Sequence, residues 1–271
     1  MTEKILYITD LDGTLLRNDA TVSDFTKDTL NSMMKSGMIF SYATARAYAT
    51  ASKVTAGIDI NVPVVVYNGT FIVDGATGER ISGKFFRKDE SEYILDVLRQ
   101  HDISPITYAD IDGRERYSYN LAGQNVPGTV FVKQRSGDSR ENITTSDRLG
   151  DGRLFHFTCF GDKNNLAAAR DRLAPLFHTD LYLERYTQGM CLEIHPVGAS
   201  KAEAVVELKG ILGCDRVVSF GDGGNDIPMF RISDEGYAME NAVPELKKIA
   251  TGVIGVNDND GVARWILENT K

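Results

Sequence analysis

The run Ile5-Leu6-Tyr7-Ile8-Thr9 is apolar almost without interruption, and it ends in Asp10-Leu11-Asp12-Gly13-Thr14. A strand without polar alternation has both faces buried, which is the habit of parallel sheets covered by helices on each side. Such a sheet leaves its polar groups at the carboxyl ends of its strands, where ligands bind. Asp10 and Asp12 stand at that end, and residues two apart on a strand project to one face. Two like charges so placed repel unless a cation or a shared proton intervenes. On its own, Asp-Leu-Asp-Gly is equally consistent with an ordinary acidic turn.

The pattern continues as strand, helix, strand, helix, strand. VSDFTKDTLNSMMKSG carries apolar residues at helical spacing and ends at Gly37, MIFSYAT reads as a strand, RAYATASKVTAGI as a helix, and PVVVYNGTFIV as a third strand with a turn. From about Gly83 to Gly189 the texture changes. Helix ESEYILDVLRQH precedes strands PITYAD, RYSYNL, TVFVKQ and RLFHFTCFG, helix NLAAARDRLAPLF and strand LYLERYT. In RLFHFTCFG, Phe155, Phe157 and Cys159 alternate with His156 and Thr158, as in a sheet with one covered face. The polar stretch QRSGDSRENITTSDRLGDG reads as a loop or a poorly ordered helix. Alternating βα units return from SKAEAVVELKGIL onward. The expected architecture is an α/β, Rossmann-like parallel-sheet core formed by residues 1–83 and 190–271. An α+β domain, residues 84–189, is inserted between them.

The 271 residues are 42% hydrophobic with a formal net charge of −8, and no basic block occurs. Non-specific nucleic-acid binding requires a basic footprint, so that class is excluded. No apolar run approaches a membrane span, and the opening MTEKILYITD lacks a long secretory apolar region, so the expected compartment is cytoplasmic. Cys159, Cys191 and Cys214 fall in no paired spacing and read as buried free thiols. His101, His156, His178 and His195 show no metal-ligand spacing along the chain.

Three further elements sit at strand–helix junctions. Thr44, in SYATAR, has a hydroxyl suited to a phosphoryl oxygen near a helix start, or to a plain N-cap. Lys201 opens a helix, where the dipole disfavours a cation; it needs a negative partner or is simply solvated. SFGDGGNDIPMF ends a strand in Asp222 and Asp226, oxygen donors that suit a hard cation such as Mg²⁺. It is not a dinucleotide fingerprint, since Asp226 occupies the position of the third glycine.

As a set these motifs resemble the haloacid dehalogenase superfamily of phosphohydrolases. DLDGT is similar to its first motif, Thr44 to the second, Lys201 to the third and GDGGND to the fourth. The position of the insertion, with YNGT, AMENA and NDNDGVA, resembles the Cof-type, subclass IIB branch with an α/β cap. One departure is Ala45 in Ala43-Thr44-Ala45-Arg46, where the branch usually carries glycine, and its methyl would tighten the pocket.

The resemblance implies a chemistry. Asp10 would be the nucleophile that forms an aspartyl phosphate, and Asp12 the acid and then the base. Mg²⁺ would be held by Asp10, the Asp12 carbonyl and Asp222, with Asp226 in or just behind that set. Thr44, Ala45, Arg46, Asn225 and Lys201 would line the phosphoryl group. The expected substrate is a small phosphorylated metabolite, a sugar phosphate or similar monoester, selected by the cap. The expected assembly is a monomer or small homo-oligomer. A sugar phosphomutase and a non-catalytic phosphometabolite sensor are the alternatives.

Overall fold

The computed structural model describes residues 3–184 and 187–270, which divide into two units: Met1–Gly83 with Ala199–Lys271, and Lys84–Gly198. In chain order, the first segment supplies β1 (Ile5–Thr9), α1 (Asp24–Lys35), β2 (Ile39–Tyr42), α2 (Tyr48–Val54), β3 (Val64–Val66), β4 (Phe71–Val73) and β5 (Arg80–Gly83). The inserted segment contains α3 (Lys88–Gln100), β6 (Ile106–Ile111), β7 (Arg114–Tyr119), α4 (Val126–Lys133) and β8 (Glu141–Ile143). It continues with β9 (Arg153–Phe160), α5 (Lys163–Leu173), β10 (His178–Leu183) and β11 (Met190–His195). The last segment adds α6 (Lys201–Leu212), β12 (Arg216–Gly221), α7 (Ile227–Ile232), β13 (Glu235–Met239), α8 (Pro244–Lys247), β14 (Gly252–Ile254) and α9 (Gly261–Asn269).

The first unit is built on a parallel sheet of order β14-β13-β12-β1-β2. Leu6, Ile8, Phe40, Val217, Phe220 and Met239 are fully or almost fully buried, as expected of strands covered on both faces. Helix ends are chemically marked. The Ser23 hydroxyl accepts from the Thr26 amide at the start of α1, and Ser200 does the same for Glu203 at the start of α6. Gly213 ends α6 in the left-handed region at φ 61°. The expected third strand behaves differently. Val64–Val66 meets the parallel sheet through the isolated Ala43–Val65 bridge, then folds back on β4 and β5 as a separate antiparallel sheet. The reversal is made by Tyr67, Asn68 and Gly69, all at positive φ.

The second unit is a six-stranded sheet of order β10-β11-β9-β6-β7-β8. On one face, Phe157, Cys159, Leu154, Leu192 and Ile194 pack with Ile94, Val97 and Leu98 of α3 and Leu166, Ala169 and Leu173 of α5. Four sequence expectations need correcting here. The return to the core at residue 190 is too early, because Met190–His195 pairs with both β9 and β10 inside this sheet. TVFVKQ is mostly helix rather than strand: the Asn125 side chain caps the Gly128 amide and Pro127 sits in the first turn, which outweighs the β-branched residues. The polar stretch contains β8, which joins β7 in parallel. The side of β9 that carries His156 and Thr158 is buried as well, at 4% and 2% exposure. Residues 185 and 186 of the expected strand LYLERYT lie outside the described residues.

Among the described residues, no helix is long and apolar enough to cross a membrane. Cys159, Cys191 and Cys214 are all buried and free.

Candidate active site

The parallel register sets the site. Thr9 pairs with Phe220, and the Asp10 amide donates to the Phe220 carbonyl at 2.9 Å, so Asp10 and Asp222 leave adjacent strands side by side. On the other flank, the Ala43 amide donates to Thr9, which brings Thr44 alongside Asp10. Carboxylate oxygens of Asp10, Asp222 and Asp226 all lie within 4.8 Å of one another. Lys201, the first residue of α6, is 2% exposed, and its ammonium donates to Asp10 Oδ1 at 2.6 Å and Asp226 Oδ1 at 2.7 Å. The solvated alternative for Lys201 is thereby excluded. Asp226 is fully buried, and its second oxygen accepts the amides of Asp222 and Gly223 at 3.0 and 2.9 Å. It therefore holds the Gly221–Asp226 turn and the lysine in place. Asp222 is more open, and one of its oxygens accepts the Thr14 hydroxyl at 2.9 Å.

Glycines permit the close approach. Gly13 has φ 80°, and a Cβ there would lie 2.3 Å from Asp222 Oδ2, so a side chain would displace the carboxylate. Gly69 has φ 97°, and a Cβ would fall 2.1 Å from the Ser200 carbonyl. The Tyr67–Gly69 turn thus seats the start of α6, and with it Lys201. Asn68 in the same turn accepts from the Asn225 side chain at 3.1 Å.

Three carboxylates face one ammonium, and the imbalance shows in their acidity. Burial pushes Asp10 well above the usual carboxylate range; Lys201 opposes this, and Asp226 and Asp222 add to it. Burial, and then Asp226, push Asp222 up to about 6. Lys201 is held charged, because Asp10 and Asp226 together outweigh its desolvation. The all-oxygen donor set of Asp10 and Asp222 suits a hard divalent cation such as Mg²⁺, which would supply the missing positive charge. Asp226, with both oxygens engaged, stands behind that pair.

Asp10 and Asp12 have different surroundings. Asp12 is half-exposed, and Arg46 grips it with two parallel bonds, Nε to Oδ2 at 2.7 Å and an η nitrogen to Oδ1 at 2.5 Å. Thr44 is fully buried, and its hydroxyl accepts the Arg46 amide at 3.1 Å. It is not an N-cap, because α2 begins only at Tyr48. Ala45 and Asn225 are exposed beside these groups.

Residues outside the expected set hold the loop after β1. Asn241 donates to the Gly13 carbonyl at 2.8 Å and Asn257 to the Leu16 carbonyl at 2.9 Å. Asp260 accepts from Arg17, Ser23 and Thr26. AMENA and NDNDGVA signalled these positions without indicating what they grip.

Comparison with known proteins identifies the family. The profile of the haloacid dehalogenase-like hydrolases matches residues 7–266. A 5-amino-6-(5-phospho-D-ribitylamino)uracil phosphatase of Bacillus subtilis is 25% identical over 98% of both chains. An HMP-PP phosphatase of Serratia proteamaculans is 27% identical over 95% of this chain and 92% of that one. The crystal structure of a haloacid dehalogenase-like hydrolase from Bacteroides thetaiotaomicron superposes with a TM-score of 0.77 at 23% identity, covering 98% of this chain and 99% of that one. A subclass IIB sugar phosphatase superposes with a TM-score of 0.76 at 20% identity, covering 98% of each chain. The chain belongs to the haloacid dehalogenase-like hydrolases, as a phosphatase of the Cof-type branch.

Proposed function

We propose that this protein is a Mg²⁺-dependent phosphatase of small phosphorylated metabolites, sugar phosphates or similar monoesters, acting through an aspartyl phosphate on Asp10. The observation that carries the reading is the ammonium of Lys201 bonded to Asp10 and Asp226 beside Asp222, at the ends of adjacent parallel strands. Asp10 and Asp222 would hold Mg²⁺ with the Asp12 carbonyl, and the ion would supply the charge that lets an anionic ester approach these carboxylates. Asp10 attacks phosphorus, and the alkoxide leaves with a proton from Asp12. Asp12 then takes a proton from the water that releases phosphate. Its half-exposed position and its grip by Arg46 support a role separate from that of Asp10. Lys201 keeps Asp10 oriented, while Thr44, Arg46, Asn225 and the exposed backbone at Ala45 line the phosphoryl oxygens. The relatives' substrates, a ribitylamino-uracil phosphate and HMP-PP, support a small metabolite rather than a macromolecule. Residues Lys84–Gly198 form the unit that selects the leaving group.

The test is phosphate release from a metabolite panel with Mg²⁺, after EDTA, and after Mg²⁺ is restored. Activity is expected to vanish and return. A quenched reaction is expected to contain protein-bound phosphate labile to hydroxylamine. Turnover that persists in EDTA would overturn the metal assignment, and transfer of phosphate to a sugar rather than to water would identify a mutase.

A further inference from the structure

The second unit contains another cluster of ionisable side chains. Strands β10 and β11 pair antiparallel, with His178 opposite His195 and Asp180 opposite Glu193. Residues two apart share a face, so these four converge on one patch. A carboxylate oxygen of each acid and Nε2 of His195 all lie within 4.8 Å of one another. His195 Nε2 is 3.6 Å from Glu193 and 4.0 Å from Asp180. His178 Nε2 is 3.2 Å from the same Asp180 oxygen.

His195 is fully buried, and its Nε2 has no hydrogen-bond partner among the described residues. Its other nitrogen is 3.3 Å from Nδ1 of His156, whose Nε2 is 2.9 Å from the Thr158 hydroxyl. If His195 carries its proton on Nδ1, it donates to His156, His156 donates to Thr158, and Nε2 is a bare lone pair beside two carboxylates. If the proton is on Nε2, its nearest acceptor is Glu193 at 3.6 Å, beyond the length of a normal hydrogen bond. Each tautomer leaves Nε2 unsatisfied, which is costly in a native interior. A metal cation satisfies the first arrangement completely. Metal-bound imidazoles commonly donate through the far nitrogen to a fixed acceptor, here His156 and then Thr158. Ligand atoms at about 2.0–2.2 Å from a tetrahedral zinc lie roughly 3.3–3.6 Å apart. The 3.6 Å from His195 to Glu193 already fits, the 4.0 Å to Asp180 must shorten by about half an ångström, and His178, outside the three-residue group, must turn toward the ion.

We propose that Asp180, Glu193 and His195, with His178 as fourth donor, form a site for a first-row divalent transition metal of the zinc type. Imidazole with carboxylate selects such ions over Mg²⁺. All four ligands lie in the second unit, so the site can be separated from Asp10 and Asp222 by mutation. Bound metal would pin β10 to β11.

The experiment uses the full chain, stripped with EDTA and desalted, in an Asp10→Asn/Asp222→Asn background that silences the carboxylates of the first unit. Calorimetry with Zn²⁺ is expected to give one site per chain, and Co²⁺ is expected to give the visible bands of low-coordinate cobalt. Zn²⁺ should raise Tm, and millimolar Mg²⁺ should not displace it. Asp180→Asn, at a half-buried position that tolerates the change, should weaken Zn²⁺ by about 100-fold and remove the Tm shift. Thr158→Val should weaken it by about 10-fold through the imidazole relay. His195→Gln should abolish binding, with circular dichroism as the folding control. Absence of Zn²⁺ binding in the silenced background would overturn the proposal. So would binding of equal strength in folded Asp180→Asn.

Discussion

Each unit buries carboxylates, and the two clusters differ in what balances them. Around Asp10, Asp222 and Asp226 the chain supplies Lys201, a cation whose pKa Asp10 and Asp226 raise against its desolvation. Beside Asp180 and Glu193 stand imidazoles: burial, followed by the neighbouring His195, pushes the His156 pKa down to about 3, so that ring stays neutral, while the bond to Asp180 raises that of His178. A fixed ammonium orients a carboxylate permanently. A neutral imidazole leaves a position that exchangeable cations fill. The difference separates a site built to hold one geometry through a reaction from one whose charge depends on what is bound.

The largest effect that would break this contrast is on turnover. Asp10→Asn should lower kcat by about 1,000-fold or more while leaving the circular dichroism spectrum unchanged, because the isosteric amide removes the nucleophilic oxygen yet still accepts from Lys201. Retention of more than a few per cent of activity in steady-state assays would remove Asp10 from the reaction. Lys201→Met comes next. It leaves Asp10 and Asp226 without their ammonium and should cost about 3–5 kcal/mol in urea denaturation, as for other broken buried pairs. Mg²⁺ should recover part of that loss. If it does not, ammonium and metal ion are not sharing the same excess charge.

Two smaller effects sharpen the comparison. Arg46→Lys loses the two-pronged grip on Asp12 and should lower kcat by about 10-fold with little change in stability. An equal fall in stability would make Arg46 structural. Asp260 provides a carboxylate with a permanent arginine outside both clusters. Burial raises its pKa, but bonds from Ser23, Arg17 and Thr26 outweigh burial and leave it lowered. A lowered folded pKa means that the unfolded chain binds the proton more readily. The stabilisation is therefore complete above about pH 4 and is lost as the pH falls below that. Asp260→Asn should lower the neutral plateau of the stability curve and leave the acid end nearly unchanged, so that this acid limb flattens; a mutant curve that falls by the same amount at every pH would detach the limb from Asp260.

Much of the first unit could be read from the chain because its strand ends carry chemistry. An apolar run that stops at Asp10, another that stops at Asp222, and Lys201 at a helix start each mark a junction by residue type. The second unit offered no such marks. Val130, Phe131 and Val132 favour a strand, and only the cap at Asn125 and the proline behind it reverse that preference. Met190–His195 follows Gly189 and looks like a return to the core, because nothing local says which sheet it will join. The histidines gave no ligand spacing because their proximity comes from antiparallel pairing, which brings His178 and His156 each to His195 from opposite sides of β11. For the same reason, Asn241, Asn257 and Asp260 showed as motifs but not as clamps on a loop far back in the sequence.

Those clamps have a consequence for synthesis. Lys201 meets Asp10 across 191 residues, and Asn257 reaches Leu16 across 241. At about 5–20 residues per second, the Asp10 segment leaves the ribosome roughly 10–40 s before the lysine that orients it. During that interval the whole of Lys84–Gly198, with its own core, has already emerged. The inserted unit can complete its packing while the Asp10 loop still lacks its ammonium, the neighbouring carboxylate of Asp222 and its clamps. A chain truncated before residue 257 would already have Lys201, Asp222 and Asn241 against the Asp10–Thr14 segment, but it would lack the Asn257 bond to Leu16 and the Asp260 contacts to Arg17, Ser23 and Thr26 that hold the rest of that loop.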